Sequence, residues 1–142
     1  MIVVTGASGF IGSCLVSALI DQGHKDLLLV DEFMREDKRN NLYNKAFGIK
    51  VDRDIFLGFF QANVEHISFV YHLGARTDTT EKDEAIFRKL NLDYSRRIWE
   101  LCSTHKIPLV YASSAATYAD GRYRTNCNNK AVSKLNPLNL YR

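Results

Sequence analysis

Apolar residues fall in short runs broken by glycine and polar turns, and the period of each run changes along the chain. Ile2-Val3-Val4 leads through Thr5 into a glycine-rich turn, and Phe10 to Ile20 then spaces its apolar residues helically. The pattern predicts a strand over 2–5, a helix over about 10–22 with Gly23 as its C-cap, and a strand over 27–31. Such a β-α-β unit is expected to be parallel and right-handed. Residues 48–52 read as a third short strand and Ile55 to Gln61 as a short amphipathic helix. Ile67 to Leu73 reads as a buried parallel strand. Glu81 to His105 supports one long helix, with Ile86, Leu90, Ile98, Leu101 and Cys102 near one face and Trp99 expected in the core. Ile107 to Ala112 is the next strand, with Pro108 at its start, where a missing donor is tolerated. Beyond Ala119 the chain turns polar and a loop is expected. This order of elements predicts an α/β fold with a doubly wound parallel sheet.

Composition narrows the picture without changing it. The 142 residues suffice for one domain with a real core and are short for two. Apolar content of 46% and charged content of 25% are those of a soluble globular protein. A net charge of +3 calls for neither nucleic acid nor an acidic membrane surface. No apolar run approaches the roughly 20 residues that span a bilayer. The chain begins directly with a strand, which points to the cytoplasm. Cys14, Cys102 and Cys127 are odd in number and lack a C-x-x-C pair, so free thiols are expected and no metal site.

The candidate chemistry gathers at the strand ends. Gly6, Gly9 and Gly12 form G-x-x-G-x-x-G between a strand and a helix start, where glycine lets the backbone turn sharply and approach a pyrophosphate. Asp31 ends the second strand nineteen residues after Gly12 and can accept hydrogen bonds from an adenosine ribose. Arg35, Lys38 and Arg39 follow it, and basic groups there can hold a 2′-phosphate. Asp31 favours NAD and the basic cluster favours NADP; the balance leans to NADP with NAD open. Leu73-Gly74-Ala75 places small residues at a strand end, facing the ligand crevice. His66 and His72 read as hydrogen-bonded structure rather than catalysts. Asn91 either faces solvent, orders a neighbouring loop or reaches the nicotinamide side. Ser113 and Ser114 bring hydroxyls to the carboxyl end of a strand, where catalytic groups are expected.

These motifs, with Tyr118 and Pro137-Leu138-Asn139-Leu140-Tyr141, resemble the extended short-chain dehydrogenase/reductase family, whose members act on nucleotide sugars. Within it the chain is most similar to the ADP-L-glycero-D-manno-heptose 6-epimerases. The segments that carry this are Val30-Asp31 with the basic loop to Leu42, Gly74 to Glu81, and Tyr111 to Tyr118. The resemblance implies a Rossmann fold over 1–142 as the NAD(P)-binding domain. Phe10 and Ile11 would flank the cofactor, Asp31 and Glu32 contact its adenosine end, and Lys38 and Arg53 supply positive charge. Leu73, Gly74, Ala75, Arg76 and Thr77 would line it, with Asn91 nearby. Ser114 would be the catalytic hydroxyl and Tyr141 the catalytic tyrosine of a Y-x-x-x-K pair. Tyrosine is too weak an acid near neutral pH, so a lysine and the positive nicotinamide must lower its pKa. The reaction implied is oxidation of an ADP-heptose at C6″, a transient ketone, and return of hydride to the other face. A homo-oligomer and a place in lipopolysaccharide core assembly are implied likewise.

The sequence departs from the family pattern at two points. Ala119 stands where relatives carry glycine, and Arg142 follows Tyr141 where they carry a small residue. The lysine due four residues after Tyr141 lies past Arg142. The chain is therefore expected to be the N-terminal portion of such an enzyme, without the substrate-binding lobe. Alone it would hold a dinucleotide weakly, fail to turn over and be poorly soluble. Another epimerase or dehydratase of the family, or a non-catalytic dinucleotide-binding module, are the alternatives.

Overall fold

A computed structural model describes residues 1–45, 48–78 and 83–114. Five strands are formed: β1 (Ile2–Thr5), β2 (Leu27–Asp31), β3 (Ile49–Asp52), β4 (Phe69–His72) and β5 (Leu109–Tyr111). They pair in the order β3-β2-β1-β4-β5, and every pairing is parallel. Helices α1 (Phe10–Asp21), α2 (Arg53–Ala62), α3 (Glu84–Phe87) and α4 (Tyr94–Thr104) flank the sheet. The order runs outward in opposite directions from β1, which makes the crevice above β1 and β4 the ligand-binding position of an open α/β sheet.

Alternation along the strands divides the core in two. Val3, Leu28, Val30 and Val70 point to the face covered by α2 and α4, where Phe56, Phe60, Ile98 and Cys102 are buried. Val4, Leu27 and Leu29 point to the other face, against Val16 and Leu19 of α1. Phe56 and Phe60 meet edge to face at 5.7 Å, a favourable ring geometry. Asp52 caps α2 by accepting from the Asp54 amide at 2.9 Å, so this helix starts two residues earlier than its apolar spacing predicts. Helix α1 ends as expected at Gly23, whose φ of 89° allows the His24 amide to return to the Leu19 carbonyl.

Three expectations are corrected. The single long helix over 81–105 is instead α3, a π-helical segment (Arg88–Asp93) and α4, among the described residues. The widened turn contains Asn91, whose side chain is drawn off to another backbone segment. Trp99 is not core: it is 61% exposed, because Ile98 and Cys102, one turn apart, take the inward stripe. The charged stretch after Asp31 is not irregular throughout but forms 3₁₀ turns over Glu36–Leu42, and Leu42 is buried against the α1 side of the sheet. Cys14 and Cys102 are free thiols, the first exposed and the second buried. Cys127 and the segment beyond Ala119 lie outside the described residues. Among the described residues no helix is long and apolar enough to cross a membrane, and no cluster could hold a metal ion.

Candidate functional site

The carboxyl ends of β1, β2 and β4 open onto a cleft of about 1100 Å³. Its centre is made of backbone. Gly6 has a φ of 68°, and a Cβ there would lie 2.7 Å from the Gly74 nitrogen. A Cβ on Gly12 would overlap the Gly6 carbonyl oxygen. The turn after β1, the start of α1 and the loop after β4 therefore meet with no side chain between them. Gly9 is the N-cap residue of α1 and provides no side-chain cap. Phe10 and Ile11, on the first turn, line the cleft while 82% and 69% exposed.

The β2 side of the cleft is charged. Asp31 is buried and accepts from the Ser8 amide at 2.9 Å and the Glu32 amide at 2.8 Å. Lys38 Nζ stands 3.3 Å from the same carboxylate. Arg53 pairs with Glu32 at 3.1 Å, and Arg35 with Asp37 at 2.8 Å. The β4 side is held by polar side chains. His72 lies between the Thr5 hydroxyl, 2.6 Å from Nδ1, and the Ser95 hydroxyl, 2.8 Å from Nε2. Burial depresses the His72 pKa to about 4, so the imidazole is neutral. Asn91 accepts from the Arg76 amide at 2.7 Å and donates to the Arg76 carbonyl at 3.0 Å.

The structure gathers the sequence-selected residues. Gly6, Gly9, Phe10, Ile11, Gly12, Asp31, Glu32, Lys38, Arg53 and Leu73 to Thr77 all line the cleft. Asn91 and Ser114 do not; they share an adjoining cavity of about 20 Å³ with Ala75 and Ser95, room for about one water. Asn91 thus holds the loop after β4 through Arg76. Tyr141 and Tyr118 lie outside the described residues. Lys89, Asp93, Tyr94 and Arg97 also line the cleft and were not selected from sequence. Lys89, Asp93 and Arg97 belong to the charged side of the helical pattern, which reads as solvated in the sequence. Tyr94 donates to the Arg53 carbonyl at 3.2 Å, and burial raises its pKa.

Residues 2–142 match the NAD dependent epimerase/dehydratase family. The chain belongs to this family. Among curated members it is 37% identical over 145 residues to an ADP-L-glycero-D-manno-heptose-6-epimerase of Fusobacterium nucleatum, covering 99% of this chain and 44% of that one. The enzyme of the same name from Alkalilimnicola ehrlichii is 37% identical over 143 residues, covering 99% and 43%. Among solved members, the Helicobacter pylori ADP-L-glycero-D-manno-heptose-6-epimerase superposes with a TM-score of 0.75 at 25% identity, covering 99% of this chain and 46% of that one. The Bacillus cereus UDP-glucuronic acid 4-epimerase, solved with NAD, gives 0.68 at 27% identity, covering 84% and 41%. The chain spans less than half the length of these family members. The family's Rossmann fold is the parallel sheet and flanking helices described above.

Proposed function

We propose that this chain is the dinucleotide-binding part of a nucleotide-sugar epimerase, an ADP-L-glycero-D-manno-heptose 6-epimerase. The observation that carries the reading is that the turn after β1, with Gly6, Gly9 and Gly12, lines the cleft at the start of α1, where a pyrophosphate would meet a helix N-terminus. Similarity to heptose epimerases along 99% of the chain supports the substrate class.

The residues present fit a nicotinamide dinucleotide. The glycine turn and the start of α1 would hold its pyrophosphate, Asp31 and Glu32 its adenosine ribose, with Lys38 and Arg53 as nearby positive charge. Leu73 to Thr77 would form the floor toward the nicotinamide, kept in place by Asn91. When bound, the dinucleotide supplies a hydride acceptor and donor. Ser114 would hydrogen-bond the reacting substrate oxygen, and Tyr141 would take and return its proton. Of the two phosphate states, NADP was favoured in the sequence by Arg35, Lys38 and Arg39. In the structure Arg35 is engaged by Asp37 and Lys38 by Asp31. The protein would act in the cytoplasm on ADP-heptose, as a homo-oligomer.

The test is turnover of ADP-heptose by the intact gene product, followed by NMR at the C6″ proton. Interconversion of the two epimers is expected, with Ser114→Ala lowering kcat by about 10²–10³-fold. Binding of a dinucleotide with no interconversion of ADP-heptose would remove the heptose assignment.

A further inference from the structure

Ser8 lies in the turn between β1 and α1, 3% exposed, and its backbone is gripped from two sides. Its amide donates to Asp31 Oδ2 at 2.9 Å, and its carbonyl accepts from Asn41 Nδ2 at 2.8 Å. Asn41 belongs to the 3₁₀ turns after β2, and contacts on either side fix its place. Leu42 is buried in the same apolar cluster as Val16 and Leu19 of α1, and Lys45 Nζ reaches the Ser13 carbonyl of α1 at 2.7 Å. Lys38, one turn earlier, lies against Asp31. Gly6, Gly9, Phe10 and Ile11 line the cleft, whereas Ser8 and Asn41 do not, so the grip is applied from behind the turn.

This grip answers a weakness of the turn. Gly6 and Gly9 flank it, and glycine lets the peptide units between them rotate at little steric cost. Gly9 is the N-cap of α1 and has no side chain to hold the helix start. A peptide unit is planar, so turning the Ser8–Gly9 unit over would carry the Ser8 carbonyl oxygen toward the cleft. That oxygen would repel a diphosphate at the place where the unpaired N–H groups of a helix start attract one. The Gly9 amide donates to the Gly6 carbonyl at 3.0 Å and the Ser8 carbonyl is held by Asn41, so both polar groups of the unit are engaged.

We propose that Asn41 is a positioning residue for the diphosphate of the dinucleotide. By bonding the Ser8 carbonyl behind the turn, it keeps that oxygen out of the cleft and leaves the first-turn amides of α1 to meet the ligand. The inference rests on the dinucleotide reading above and adds to it a residue that the ligand never touches.

The experiment is calorimetric titration of the intact, cofactor-stripped gene product with NAD⁺ and with NADP⁺, beside a thermal melt of each sample. Asn41→Ala and Asn41→Asp are each expected to weaken the dinucleotide that the wild-type protein binds by about tenfold, measured well below the melting midpoint. Asn41→Asp keeps the size of the side chain and loses the donor, so it remains a test if Asn41→Ala folds poorly. Asn41→Gln retains the donor and is expected to recover part of the affinity. A residue that only stabilised the fold would lower the midpoint and leave the affinity alone. Affinity within about twofold of wild type in both Asn41→Ala and Asn41→Asp overturns the inference and leaves the dinucleotide reading intact. Wild-type protein that binds neither dinucleotide overturns both.

Discussion

The Thr5 hydroxyl oxygen lies 2.6 Å from His72 Nδ1, across the β1–β4 pairing at which the sheet order reverses. The same oxygen receives the Gly74 amide at 3.1 Å, and the far side of the ring reaches Ser95 on α4. With a neutral ring, the arrangement that leaves no buried proton idle has Thr5 donating to Nδ1 and Nε2–H donating to Ser95. Ser95 stands one helical turn after Asn91, which holds Arg76. One side of the helix thus fixes both ends of the segment from His72 to Arg76, the floor of the cleft. His72 is structure under the site rather than a group within it.

Stability is expected to fall in acid through His72. An unfolded chain protonates this imidazole near its usual value of 6.5, whereas the fold holds it near 4. The unfolded state takes up the proton first, so the contribution is complete above about pH 6.5 and is lost as pH falls toward 4. The full difference is about 3 kcal/mol. Urea unfolding at pH 7 and pH 4.5 checks it: His72→Asn should be less stable at pH 7 and lose less between the two.

Gly12→Ala is expected to damage fold and binding together. Its Cβ would overlap the Gly6 carbonyl oxygen, a backbone atom that cannot swing aside as a side chain would. A cost of about 1–3 kcal/mol is expected from the forced shift. Dinucleotide affinity should fall by about tenfold or more, because the displaced turn is the proposed pyrophosphate cradle. A thermal melt and a dinucleotide titration of the same sample read both effects. An unchanged affinity in a destabilised variant would separate the turn from the ligand.

Asn91→Ala should release the loop after β4. It leaves the Arg76 amide and carbonyl without their side-chain partner, a loss of about 1–3 kcal/mol. Hydrogen exchange at the Arg76 amide is expected to accelerate, while Asn91→Asp retains the acceptor and should preserve part of the protection. Equal exchange in all three proteins would show that the loop is held by other contacts.

The thiols should differ in reactivity. Burial pushes the Cys102 thiol up to about 11 and closes it to reagents, whereas Cys14 is exposed on α1. Brief treatment with a thiol-specific reagent, followed by peptide mapping, is expected to label Cys14 in the native protein and Cys102 only after unfolding. Rapid native labelling of Cys102 would mean that α4 opens readily.

Local chemistry was enough to read the sheet, the glycine turn and Asp31 from the sequence. Apolar runs of four or five residues between turn signals have few other solutions, and G-x-x-G-x-x-G between a strand and a helix constrains its own backbone. The residues between Gly6 and Thr77 that line the cleft were likewise legible, because most sit at or just after a strand end that the chain order places on one edge. What the sequence could not show depended on contacts between distant segments. The π-helical break in the long helix contains Asn91, which bonds a loop fifteen residues away, and helical periodicity carries no trace of that contact. Trp99 looked like core by its size, yet exposure was decided by which stripe of α4 met the sheet. The basic residues after Asp31 suggested spare positive charge, and only the fold brought Asp31, Glu32 and Asp37 against Lys38, Arg53 and Arg35. Composition determines which charges are present. Tertiary structure determines which remain free, because an ion pair depends on distance in space and not along the chain.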